Sequence, residues 1–95
     1  MTEGELLERA MKAKAILEAP VYAEAYEGVR AAIISLIEKT PLSETETAED
    51  LRRCLKLLRD VRANFETYLN QGKLASFKLQ QEKQRRENPL RNLFR

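Results

Sequence analysis

With 95 residues, 34% of them charged and only three Gly and three Pro, the chain has room for one domain and a composition that favours helix. It contains no His and a single Cys, Cys54, which excludes an intrachain disulfide, removes the usual base beside a Cys nucleophile and rules out the commonest zinc-ligand pattern. The net charge of +2 conceals a polarity: residues 1–50 hold 11 acidic and 5 basic side chains, a net of −6, and residues 51–95 hold 12 basic and 4 acidic ones, a net of +8, which favours head-to-tail association or an acidic partner for the basic end.

The first helix is expected from about Glu3 to Glu18. Thr2 can cap it, and Glu3 and Glu5 sit in the positive first turn. Leu6, Leu7, Ala10, Met11, Ala13 and Leu17 recur at helical spacing. Pro20 restricts Ala19 to extended geometry, so the helix stops there. Pro20 itself suits the first turn of a second helix, where its missing N–H would have no partner anyway.

That second helix runs to about Lys39. Val21, Tyr22, Ala25, Tyr26, Val29, Ala32, Ile33, Leu36 and Ile37 give it a broad apolar face. Gly28, inside the pattern, marks either a close helix crossing or an ordinary exposed Gly. Pro41 ends the helix, and residues 40–47 read as a loop in which Thr47 and Asp50 resemble a capping box.

A third helix is expected from about Ala48 to Gln71. Leu51, Cys54, Leu55, Leu58, Val61, Arg62, Phe65, Tyr68 and Leu69 form its stripe, the clearest periodic signal in the chain. Cys54 lies in that stripe and reads as a small buried hydrophobe. Arg62 belongs on its edge, stem packed and head in water. Asn70-Gln71-Gly72-Lys73 reads as a helix stop with Gly72 in the left-handed conformation. A short fourth helix from about Leu74 to Arg86 carries few apolar residues beyond Leu74 and Phe77, so its order requires contact with the body or a partner. Asn88-Pro89 closes it, and Leu90-Arg91-Asn92-Leu93-Phe94-Arg95 is a last apolar-basic segment.

These elements give an all-α expectation: an antiparallel three-helix bundle over residues 1–72, followed by a basic C-terminal helix and tail, residues 73–95, docked on a partner or mobile. Only about 70 residues then contribute to the core, a size at which one core supplies ~3–5 kcal/mol and oligomerisation is a common remedy. No apolar run approaches the ~20 residues that cross a bilayer. The N-terminus, MTEGELLERA, lacks a signal peptide's basic start and apolar stretch. A cytoplasmic location without membrane contact is therefore expected.

No phosphate-binding Gly-rich loop, nucleophile–base set or metal-ligand pattern is evident, so no enzyme activity and no cofactor are expected. The acids Glu44, Glu46, Glu49 and Asp50 suit a helix N-terminus. They lack the central Gly and ligand spacing of a calcium loop. The third helix places Arg52, Lys56 and Arg59 on one face with Arg53 to one side, either as a solvated surface or as phosphate contacts. The segment from Lys73 carries 7 basic and 2 acidic groups. Lys83, Arg85 and Arg86 could join Arg52, Arg53, Lys56 and Arg59 in contacting nucleic acid. Alternatively, Leu90, Leu93 and Phe94, with Leu74 and Phe77, form an apolar anchor for a protein partner. Tyr22, Tyr26, Phe65 and Tyr68 read as core residues.

Five stretches carry a family resemblance: Ala15-Ile16-Leu17-Glu18-Ala19-Pro20-Val21, Ala25-Tyr26-Glu27-Gly28-Val29-Arg30, Thr45-Glu46-Thr47, Leu55-Lys56-Leu57-Leu58-Arg59-Asp60-Val61-Arg62 and Gly72-Lys73-Leu74-Ala75. Together they make residues 10–80 resemble a group of small bacteriophage and prophage proteins from gene clusters for DNA packaging and head assembly. Ala19 stands where that group's pattern has Asn before the Pro. The resemblance implies a phage structural or packaging-accessory role in the bacterial host or on the virion, and it assigns no catalytic residue. A homo-oligomer, with other phage assembly proteins as further partners, is the leading expectation. The alternative is a small-terminase-like DNA-recognition subunit.

Overall fold

The computed structural model describes residues 1–87, which form three helices: α1 (Glu3–Glu18), α2 (Pro20–Lys39) and α3 (Thr45–Glu87). Leu90, Leu93 and Phe94 lie outside the described residues. No strand occurs among the described residues, and the all-α expectation holds.

α1 begins as expected. The Glu5 amide donates to Thr2 Oγ1 at 3.2 Å, and the Thr2 amide donates back to the Glu5 carboxylate at 3.4 Å, a reciprocal cap. At the other end Ala19 is extended, with φ −70° and ψ 124°. Its carbonyl accepts from the Tyr22 and Ala23 amides at 3.0 and 3.2 Å, which starts α2. A single residue therefore separates the two helices. Such a joint bends the path but is too short to fold α2 back on α1.

The reversal comes instead at residues 40–44. The Thr40 hydroxyl donates to the Leu36 carbonyl at 2.6 Å. A turn is closed by the Glu44 amide on the Pro41 carbonyl at 3.0 Å. Because this turn is tight, α3 starts at Thr45, before the expected Ala48, and Thr47 falls inside the first turn instead of capping it.

α3 then continues for 43 residues, about 64 Å of helix at ~1.5 Å per residue. It passes through Gly72 without a break. No Gly in the described residues has a positive φ, so the expected helix stop at Gly72 and the separate fourth helix are corrected to one continuous element. The reason is steric. A Cβ on Gly72 would collide with the Ala10 side chain and lie 3.4 Å from the Leu6 carbonyl oxygen. Gly72 serves a close crossing of α1 and α3, not a turn. Gly28, by contrast, has nothing within 4 Å of where a Cβ would sit, so the exposed alternative holds there.

The contacts run in antiparallel register along α3. Ala10 meets Gly72, Arg9 meets Gln71 and Tyr68, Tyr22 meets Phe65, and Tyr26 meets Arg62. α1 and α2 thus follow one another along a single long partner. The molecule is a helical hairpin with extents 73 × 26 × 20 Å, not three helices around a shared core. On α3 the line Leu51, Leu55, Leu58, Arg62, Phe65, Leu69, Gly72 alternates steps of four and three. A period of 3.5 is what keeps one seam facing a partner over many turns.

The seam is thin. Its buried residues are Ala10, Ala13, Tyr26, Gly72 and Ala75, and no large side chain is fully buried among the described residues.

Candidate interaction surfaces

The expected protein-anchor residues divide into two groups. Leu74 and Phe77, each 56% exposed, project from the part of α3 that α1 only partly covers. Leu74 also lines a notch of about 150 Å³ with Glu3, Leu6, Gln71, Ala75 and Lys78. The second group is the terminal set, Leu90, Leu93 and Phe94, on the residues not described.

The basic residues do not form one patch. Arg52, Lys56 and Arg59 are exposed along one flank of α3. Arg53 is turned toward acids of its own helix, 3.3 Å from Asp50 and 4.0 Å from Glu49. Lys83, Arg85 and Arg86 lie about 40 Å farther along the same helix, at ~1.5 Å per residue. There Lys83 pairs with Glu87 and Arg86 with Glu82, each at 3.7 Å. The structure therefore offers two separate cationic regions, one near the loop and one at the far end of the rod. The acids Glu44, Glu46, Glu49 and Asp50 are exposed at the start of α3. Among the described residues no group of His, Cys, Asp and Glu converges as a metal site. Also among the described residues, no helix is long and apolar enough to cross a membrane.

Aromatic residues organise the joint between the two seam halves. Tyr22 packs against Tyr26 at 6.2 Å and edge-on to Phe65 at 5.9 Å, and Phe65 is edge-on to Tyr68 at 6.5 Å. The guanidinium of Arg9 lies 4.1 Å from the Tyr68 ring centre and that of Arg62 5.0 Å from Tyr26. These geometries favour the pairs beyond the area they cover. The ring set is occupied within the hairpin, as the sequence leads one to expect. The Tyr22 hydroxyl is an exception in one respect: it is buried without a hydrogen-bond partner among the described residues.

One surface was not singled out by sequence reasoning. On α2, Val21, Ala25, Val29, Ala32 and Leu36 form a second stripe, all exposed, Val21 at 76% and Leu36 at 53%. On α3, Cys54, Leu57 and Val61 are exposed, Leu57 at 63%. The expected burial of Cys54 is thus corrected: it stands beside the seam line through Leu51, Leu55 and Leu58, where one partner helix does not reach. At 3.6 residues per turn, each stripe is offset from its own seam by about a quarter turn, in the same rotational sense. In antiparallel helices equal offsets point to the same side. The two stripes therefore share one apolar face of the hairpin, while Arg52, Lys56, Arg59 and the paired Glu27 and Arg30 (3.5 Å apart) take the other. The sequence signal was present in the width of the apolar faces, which exceeds what one partner helix can cover.

No protein-family model, curated protein or solved structure matches this chain.

Proposed function

We propose that the chain is a non-enzymatic assembly protein acting through self-association and protein–protein contacts. The observation that supports this best is the set of large apolar side chains, among them Val21, Leu36, Leu57 and Val61, exposed together on a thin rod. Contiguous apolar surface on a small protein marks interaction more often than it marks a bystander. The resemblance of residues 10–80 to phage packaging and head-assembly proteins supports a structural or packaging-accessory role in the bacterial cytoplasm or on the virion. In this reading other assembly proteins bind the exposed Leu74 and Phe77 and the terminal Leu90, Leu93 and Phe94. Sedimentation at low and high salt tests it: association at tens of micromolar is expected, and a monomer in low salt contradicts it.

A second reading is supported by the exposed flank of Arg52, Lys56 and Arg59. In that reading the chain is a DNA-recognition subunit whose loop-side cations contact phosphates and whose distant Lys83, Arg85 and Arg86 add a second point of attachment. A mobility shift on duplex DNA that falls steeply with salt is the expected result. The absence of a shift at ~50 mM salt removes this reading.

A further inference from the structure

We infer that the apolar face shared by α2 and α3 is where two copies of this chain meet, layer on layer, as an antiparallel four-helix assembly. This rests on the reading of the protein as self-associating. It adds the face, the partner and the symmetry.

Area points first to a partner of this size. A compact monomer of 11.0 kDa exposes about 5,600 Å², whereas this chain exposes 7788 Å². Its radius of gyration is 21.5 Å, against about 12 Å for a compact chain of this length. The excess, of order 2,000 Å², is of the size that permanent dimers bury. A monomeric hairpin, with no large side chain fully buried among the described residues, has the core of half a four-helix bundle.

The pattern of the face then points to a second copy and not to an unrelated protein. A two-fold interface must be self-complementary, with residue i against j and j against i. Lay the α2 stripe antiparallel on itself about a point between Val29 and Ala32. Ala25 then faces Leu36, and Val29 faces Ala32, small against large in each pair. The same operation can be tried on α3 about a point between Leu57 and Leu58, where Cys54 comes to face Val61. These two centres stand at one level of the hairpin. Arg62 packs on Tyr26 and Phe65 on Tyr22, so counting equally along both helices brings Leu57 beside the stretch from Val29 to Ala32. One axis lying in the interface and crossing both helices therefore satisfies both stripes at once.

The axis passing near Leu57 supplies the test. In a Cys54→Ala background of the full chain, Leu57→Cys should give a covalent dimer under mild oxidation. Lys56→Cys, on the charged side, should not. In parallel, sedimentation should show the wild-type chain as a dimer, and the double variant Val29→Glu/Leu57→Glu should raise its dissociation constant at least tenfold. Circular dichroism at high protein concentration follows whether that variant keeps its helices; the cross-linking arm does not depend on it. A wild-type dimer that cross-links through Lys56→Cys but not Leu57→Cys, or that is indifferent to the glutamates, overturns the face while leaving self-association intact. A wild-type chain that is monomeric throughout overturns the self-association reading along with it.

Discussion

At one end of the rod, Gly72 of α3 crosses Ala10 of α1 closely; toward the loop end, Phe65 and Arg62 of α3 meet Tyr22 and Tyr26 of α2. The first half is narrow. Small residues let the two backbones approach at Gly72 and Ala10, while Leu74 and Phe77 stay exposed beside the crossing. The second half is wider and open, with larger side chains on the seam and a further row beside it on each helix. The difference teaches that small residues close the seam tightly at one crossing, whereas the larger side chains of the other half leave an apolar row on each helix uncovered.

The strongest challenge to that contrast is at Gly72. Gly72→Leu places a side chain where even one carbon collides with Ala10. Overpacking of this kind typically costs 1–3 kcal/mol, and about 3 kcal/mol is expected here, measured by thermal or urea unfolding followed by circular dichroism. If Gly72 were a helix stop on the surface, Leu would be tolerated. Next comes Phe65→Ala at the boundary between the halves. It removes the edge contacts to Tyr22 and Tyr68. Phe65 is only half-buried, so a loss of about 2 kcal/mol in the same assay is expected, below the usual range for a buried Phe.

Gly28→Ala should act in the opposite direction. Open space surrounds the position, and replacing a mid-helix Gly by Ala contributes about 0.8–1 kcal/mol of helix propensity. A rise in the unfolding midpoint is expected, and a fall would place Gly28 in a contact absent from the hairpin. The smallest effect is at Tyr22→Phe. Its hydroxyl is buried without a partner. An unsatisfied buried hydroxyl costs about 1–3 kcal/mol, so deletion should leave stability unchanged or raise it modestly. A clear loss would show that the hydroxyl has a partner after all.

Much of this architecture was legible in the residues. The Thr2 cap, the stop at Ala19, the start at Pro20 and the reversal after Lys39 follow from local chemistry, because caps and prolines act on their own neighbours. What went unread depended on distant partners. Gly72 has two uses, left-handed turn and close crossing, and only Ala10, far away in sequence, decides between them. A clue existed: the alternating steps that carry Leu58, Arg62, Phe65 and Leu69 remain in phase at Gly72, whereas a helix stop would lose the phase. Cys54 was misjudged for a related reason. An apolar stripe shows which side is greasy, not how much of it a single partner covers. The bundle expectation failed on topology, since helical periodicity does not say whether a proline joint turns the chain back or lets it run on. Leu74 and Phe77 were read as apolar anchor residues and stand exposed, whereas the cations of the third helix and of the tail, read as joint contacts for nucleic acid, lie in two separate regions. The apolar face of α2 and α3 was hidden inside what looked like core.

Everything about that face depends on α1 continuing past the joint instead of folding back to cover it. The most direct measurement is a spin-label distance between Lys12→Cys and Lys39→Cys in a Cys54→Ala background, with labelled chain diluted into unlabelled. Helices in line predict about 40 Å between these sites, from about 27 residues at ~1.5 Å each. A distance near 20 Å, expected when α1 doubles back on α2 with the same rise per residue, would contradict the hairpin and close the face that two copies are inferred to share.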